Sequence, residues 1–548
     1  MNRTENLAAL HSGGTWDVLV VGGGIAGAGV ALEAARAGAR VALVEARDFA
    51  GGTSSRSSKL VHGGLRYLGQ GRLGLTHESL RERDALLAQA AGLVRPLRFM
   101  LPVRRGARPG RPTLGVGLAL YDALAGRRTR RWHDAAATQA LAPGLQAQAM
   151  QGAWSYLDAQ ADDARLVMRV LHEARRHGAR MVNHLSVERL RLSGPEARVN
   201  GVELLDPLGG ERFGLAARCV VNATGVWADA LRAGLGRAPL LRPLRGSHLL
   251  IPDWRLPLPQ AVALFHPHDG RPVFALPWEG ATLVGTTDLD HRDDLAREPG
   301  ITRDELAYLL AALQHAFPAL GLGEADVRST WSGVRPVVAS GQGVAPSSEP
   351  REHLVIDEQG LITVTGGKLT TFRATARQAL RCVAHHVPGL AVENRRTAIF
   401  QPPSATTGTA LGPLPAPLRE RWLARFADDA ARVLDLAGPS ETETIGNTGI
   451  AWAELRWACR HEAVVHLDDL LLRRTRLGLL LRDGGLELVP RLRPLVQQEL
   501  GWSIADWMRE WTRYRALMAR AYAVPPAAVA PADAAPADAE EAALKRPR

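Results

Sequence analysis

Lysine is almost missing from this chain. Lys and Arg together number 67 in 548 residues, but only Lys59, Lys368 and Lys545 are lysine, which leaves 64 arginines. Such a skew reads as a coding bias toward arginine, so each surviving lysine is informative. Cysteine is equally scarce. Cys219, Cys382 and Cys459 lie far apart and fit neither a disulfide framework nor a CxxC metal site, which points to a reducing compartment. No apolar run approaches the roughly 20 residues that cross a bilayer, and MNRTENLAALHSGG at the start lacks the apolar core of a secretory signal. The net charge of +11 comes from dispersed residues with no aromatic-rich basic stripe, so a nucleic-acid partner is not expected.

What is present is enough for several domain-sized units with a composition typical of folded proteins, 46% hydrophobic and 22% charged. One apolar segment, LGVGLALYDALA (114–125), is bracketed by Arg104, Arg105, Arg108 and Arg111 before it and by Arg127, Arg128, Arg130, Arg131 and Trp132 after it. A helix lying on an anionic membrane surface would look like this. So would a buried helix with solvated flanks, which the segment alone favours.

DVLVVGGGIAGAGVALEAARAGARVALVEA (17–46) predicts strand, glycine turn, helix and strand. Gly22, Gly24 and Gly27 occupy a Gly-x-Gly-x-x-Gly turn, and Glu45 ends the second strand. The first glycine permits the turn, the second admits a pyrophosphate, and the third lets the helix pack closely, with its N-terminus on the phosphate charge. Glu45 is placed to accept hydrogen bonds from the ribose hydroxyls of an adenosine. A strand and turn at ARCVVNATG (Ala223, Gly225) and another turn at Gly366–Gly367 predict a cofactor engaged by several segments, which suits FAD better than an exchangeable nicotinamide.

Around that cradle, TSSRSSK (53–59) offers Thr53, Ser54, Ser55, Ser58 and Lys59 to the pyrophosphate and ribityl chain, and His62 follows as a hydrogen-bonding group beside the flavin. TGGKLTTF (365–372) predicts a helix N-terminus carrying Lys368, Leu369 and Thr370 at the flavin's pyrimidine edge, where amides and a cation favour the reduced ring. Both internal lysines are expected to stay because a compact ammonium fits beside flavin or phosphate where a planar guanidinium does not. Asp288, Asp290, His291, Asp293 and Asp294 have no calcium-loop spacing and read as a solvated loop, so no metal is expected.

These stretches, with DDARLV, VNATGVWAD, RGSHLLIP, VGTTD and WSGVRP, occur in an order that closely resembles the FAD-dependent glycerol-3-phosphate dehydrogenases, the respiratory type that passes electrons to quinone. The resemblance runs from about residue 15 to 390, and more loosely through the C-terminal part, where RRTRLGLLL (473–481) is similar to the family's cap. It implies that Arg66, Tyr67, Arg335, Arg351 and Lys368 surround the substrate and its phosphate, with His248 near the reacting carbon. The chemistry agrees: a phosphate dianion needs converging cations, and a histidine titrating near neutrality suits removal of a hydroxyl proton.

The expected fold is α/β: a Rossmann-like FAD-binding domain (15–100, 155–241 and 351–400), an inserted, mainly antiparallel β substrate domain (242–350), and a helical C-terminal domain (403–523). Residues 101–154 are expected to form a basic membrane-facing segment, and 524–548 a disordered tail. The implied activity is oxidation of sn-glycerol 3-phosphate to dihydroxyacetone phosphate, cytoplasmic and peripheral on the inner face of the membrane, with quinone as acceptor and a homodimer as a further possibility. The alternatives are an oxygen-using oxidase of glycerol phosphate or an amine on the same fold and, ranked last, an FAD-binding nucleic-acid protein.

Overall fold

The computed structural model describes residues 1–341, 344, 346, 349, 352–392 and 397–527. DVLVV forms the strand Trp16–Val21, parallel on one side to Val41–Val44 and on the other to Glu211–Asn222. Arg180–Val182 and Leu361–Gly366 extend this parallel sheet at its two sides, and His353–Glu358 adds an antiparallel edge strand. Alternation along the first strand gives the sheet two buried faces. Val18 and Val20 pack among residues of the helices Ile25–Arg36, Asp163–Arg176 and Phe372–Val383. Leu19 and Val21 pack on the other face, against residues of Ser186–Ser193 and Arg198–Asp206. Double burial is why these strands are continuous apolar runs.

The second sheet has ten strands, in the order 289–290, 241–252, 281–285, 272–278, 261–265, 94–104, 150–161, 60–61, with Ser329–Val338 and Arg131–Asp134 pairing off this path. It is antiparallel except where Ala261–Phe265 meets Val94–Arg104. This layer is broader than expected. Val94–Arg104 and Met150–Ala161 are partners along their whole length, so the expected boundaries near 100 and 154 cut two core strands. Scattered arginines hid the pattern, because Leu97, Phe99, Leu101 and Val103 are buried at every second position.

From Ala405 to Leu517 the chain is helical. It docks through RRTRLGLLL: Arg473, Arg474 and Arg476 are buried, the first two on Asp48 and the third on Asp162 and Asp163. The proposed tail lies outside the described residues from 528 onward, as does Lys545.

Candidate active site

A cavity of about 600 Å³ lies where the three glycine turns meet. Gly22, Gly24, Ala223, Gly225, Gly366 and Gly367 all line it. The first turn is tight because a Cβ on Gly27 would stand 1.9 Å from the Gly22 carbonyl oxygen. Gly27 accordingly serves the helix packing and is not on the cavity wall.

Two helix N-termini open into this space. Ile25–Arg36 begins at Gly24, with Ser54 Oγ accepting from the Ile25 N–H at 3.0 Å and Ala26 on the wall. Phe372–Val383 begins without a side-chain cap, and Lys368, Leu369, Phe372 and Thr375 line the cavity there. Both ends carry partial positive charge. Glu45 sits at the far end, its carboxylate accepting from the amides of Gly23 (2.6 Å) and Arg47 (2.8 Å). Burial pushes its pKa up, and those two amides work against the shift. Thr53 also lines the cavity and donates to the Val334 carbonyl, so the 53–58 turn is pinned to the strand Ser329–Val338.

The expected substrate ring divides into two groups near this cavity. In one, the Lys368 ammonium lies 3.8 Å from the Tyr67 ring centroid and donates to Ser79 Oγ at 3.1 Å. Tyr67 is buried in the short helix Leu65–Gly69, whereas Arg66 is exposed. In the other, His248 lies opposite Trp331 on the neighbouring strand, stacks on its ring and shares a 2.8 Å hydrogen bond between Nε2 and Ser58 Oγ. Burial, Arg335 and Lys59 hold the His248 pKa well below its ordinary value, so the imidazole is neutral. Arg335 donates to Asp288 (3.1 Å) and Thr286 (3.2 Å). It lies over Gly246, where a Cβ would stand 2.4 Å from Nη2. Arg351 lies outside the described residues.

Lys59 departs most from expectation. It is absent from the cavity wall and fully buried, donating to Asp163 (2.9 Å) and to the Ser55 carbonyl (2.6 Å). Burial brings its pKa down to about 8 against the pull of Asp163. Its ammonium therefore ties the 53–59 turn to the helix Asp163–Arg176, off the cavity wall. Ser55 is buried, with Oγ facing the Gly52 carbonyl, and Ser58 turns to His248. Thr370 Oγ1 accepts from the His62 amide at 3.1 Å, so this pair latches two loops together off the cavity wall. Arg56 points away from the cavity to Glu298 and Tyr522.

The acidic run 288–294 is solvent-exposed at Asp293 and Asp294, as expected of a solvated loop, but buried at Asp288 and His291. Asp288 is buried on Arg335, Asp290 pairs with Arg242, Asp293 with Arg245, and Asp294 lines the cavity. Among the described residues, Asp48, His184 and Asp469 bring three ligand-type atoms together, but Arg473 and Arg474 already occupy their carboxylates. Sequence reasoning also missed Asp158. Its buried carboxylate accepts from the Gly63 amide, Arg83 and Tyr121, each at 2.9 Å, and so holds the HGGLRY loop. No local spacing marks it.

A family model described as "FAD dependent oxidoreductase" matches residues 17–379, and one described as "C-terminal domain of alpha-glycerophosphate oxidase" matches 367–506. The aerobic glycerol-3-phosphate dehydrogenase of Staphylococcus saprophyticus is 32% identical over 484 residues, covering 84% of this chain and 86% of that protein. The chain belongs to the FAD-dependent glycerol-3-phosphate dehydrogenase family. The Staphylococcus epidermidis enzyme of the same description is 38% identical over 67% of each chain. The glycerol-3-phosphate dehydrogenase of Bacillus halodurans, solved with FAD, superposes with a TM-score of 0.75 at 28% identity over 95% of this chain and 97% of that one. The L-alpha-glycerophosphate oxidase of Mycoplasma pneumoniae shares the fold, with a TM-score of 0.55 at 18% identity over 70% and 97%.

FAD is the cofactor of this family, and the cavity fits it. One open helix end and the Gly22–Gly27 turn suit the pyrophosphate, and Glu45 suits the ribose. The second helix end with Lys368 suits the pyrimidine edge.

Proposed function

We propose that this chain oxidises sn-glycerol 3-phosphate to dihydroxyacetone phosphate and hands the electrons to a membrane quinone. The observation that carries the reading is the convergence of three glycine turns, two helix N-termini and Lys368 on one cavity, with Tyr67 against the lysine. When bound, FAD supplies the acceptor for the hydride from C2. The chain's own groups do the rest. In this reading Arg66, Tyr67, Arg335 and Lys368 bind and orient the phosphorylated substrate, with Arg351 as a further cation from the sequence. A dianion demands such converging donors, and arginine grips it bidentately. His248, neutral and hydrogen-bonded to Ser58, takes the C2 hydroxyl proton. Lys368 and the N-terminus of Phe372–Val383 stabilise negative charge at the pyrimidine edge.

The membrane part rests on the helix Arg111–Leu124. Its inner face buries Leu118 and Tyr121, while Val116 (71%) and Leu120 (44%) are exposed. Arg105, Arg108, Arg111, Arg127, Arg128 and Arg131 are exposed around it. Apolar groups amid arginines match the boundary of an anionic bilayer. No helix of the described residues is long and apolar enough to cross a membrane, so the reading is peripheral attachment.

The test is anaerobic mixing of the yellow holoenzyme with glycerol 3-phosphate and, separately, with glycerol. Flavin bleaching by the phosphate ester alone is expected, and equal bleaching by both removes the phosphate grip. Reoxidation is then followed with a water-soluble quinone and with oxygen. The C-terminal match to a glycerophosphate oxidase domain keeps an oxidase as the second reading. Stoichiometric peroxide with no quinone response establishes that alternative.

A further inference from the structure

A second cleft of about 550 Å³ adjoins the cofactor cavity, and the two share Ala46, Arg47 and Ala296. Its opposite wall comes from the C-terminal region, including Asp468, Arg513 and Arg520. The carboxylates of the cleft are already matched. Asp48 is held by Arg473 and Arg474, Asp468 by Arg473 and Arg513, and Glu298 by Arg56. Three of its arginines are not matched in this way. Arg47 donates to the carbonyls of Leu295 (3.1 Å) and Ala296 (2.8 Å). Among the described residues, none of Arg47, Arg297 and Arg520 has a carboxylate at ion-pair distance, and the last two are exposed.

Three guanidiniums with no carboxylate at ion-pair distance thus line one concavity, an arrangement that suits an anion. We propose that this cleft binds a small phosphorylated polyanion through Arg47, Arg297 and Arg520, at a site separate from the substrate pocket. Guanidinium forks match phosphate oxygens bidentately. The volume lies within the range of small-molecule sites, roughly 300–1,000 Å³, and exceeds the needs of a single inorganic anion. A monoanion would also leave two of the three charges unanswered. Arg47 links the cleft to the cofactor. It follows two residues after Glu45, and its guanidinium lies 4.9 Å from the ring centroid of Trp227, a residue of the cofactor cavity. A ligand drawing on Arg47 therefore firms the wall at the adenosine end and slows FAD loss.

The experiment titrates pyrophosphate into FAD-loaded enzyme at constant ionic strength, by calorimetry. Parallel titrations use inorganic phosphate, ATP and glycerol 3-phosphate. Saturable binding of pyrophosphate to one site is expected, tighter than that of inorganic phosphate. The ATP and glycerol 3-phosphate arms separate a polyphosphate ligand from a phosphomonoester. The Arg297→Ala/Arg520→Ala double variant, altered only at exposed positions, should keep its flavin content and absorbance yet bind pyrophosphate at least tenfold more weakly. Pyrophosphate should also slow FAD release on dilution in the parent and not in the double variant. The proposal is overturned by absence of saturable binding, by equal affinity in the double variant, or by binding confined to flavin-depleted protein, which would put pyrophosphate in the cofactor cavity.

Discussion

Arginines crowd two stretches of this chain, 104–131 and 473–476, and the fold uses them in opposite ways. Arg473, Arg474 and Arg476 are buried, each against carboxylates of Asp48, Asp162 or Asp163. Arg105, Arg108, Arg111, Arg128 and Arg131 are exposed around the helix Arg111–Leu124, while Arg130 turns back to Asp122 and Arg127 pairs with Asp84. The contrast teaches that the number of guanidiniums decides nothing about their role. What matters is whether the fold brings a carboxylate to them: beside the local Asp468 and Asp469, Arg473 meets Asp48 from 425 positions away, and Arg476 meets Asp162 from 314.

The sharpest break of the comparison removes one of those partners. The buried Asp163 accepts from Lys59, Arg476, the Ser57 amide and the Ser57 hydroxyl, the two cations being buried with it. Asp163→Ala leaves the buried Lys59 without its carboxylate and Arg476 with Asp162 alone, and should cost about 3–5 kcal/mol in urea unfolding. Removing Arg105 and Arg128 together should change the unfolding free energy by no more than about 0.5 kcal/mol. Equal losses in the two variants would erase the distinction.

Acid reads the same hub. Burial works to raise the pKa of Glu462, but Arg165, paired to it at 2.6 Å, brings it down to about 2 from an ordinary 4.5. A depressed folded value means the stabilisation is present above the unfolded pKa and is lost as pH falls from 4.5 toward 2. That amounts to about 3 kcal/mol, and Glu462→Gln should flatten this part of the stability profile.

At the cavity, Lys368→Arg should lower turnover at least tenfold, about 1.4 kcal/mol of barrier, with flavin content unchanged. Steady-state kinetics of the purified variant checks it. Unaltered kcat and KM would show that a guanidinium serves as well beside Tyr67. The smallest effect belongs to the exposed arginines: Arg108→Ala and Arg128→Ala should each weaken binding to vesicles of anionic lipid by about 1 kcal/mol, measured by co-sedimentation.

Legibility followed distance along the chain. The strand–turn–helix of residues 16–36 was readable because turn, helix start and packing glycine are all local, and the structure has them there. The Gly366–Gly367 turn and the helix after it were readable for the same reason. Lys59 was misread because its partner Asp163 is 104 positions distant, and a lysine among serines beside a glycine turn looks like a phosphate ligand. The bounds of the 101–154 segment were misplaced because arginines scattered along 95–104 resemble a surface, while their apolar neighbours pair across the sheet. Asp158 carries no motif at all, and Gly246, though inside RGSHLLIP, gives no local sign of its role. Their roles exist only once the HGGLRY loop and Arg335 have been folded against them.

By itself, then, the sequence determined the cofactor cradle, because a close-packed turn at a helix N-terminus is a matter of short-range sterics and dipoles. It also determined the family, through short motifs in fixed order. Tertiary structure alone decided which of the many cations face the cavity, which lock the C-terminal region to the sheet, and which meet solvent. The cost of burying a charge is settled by the partner that folding delivers, and such partners come from hundreds of residues away.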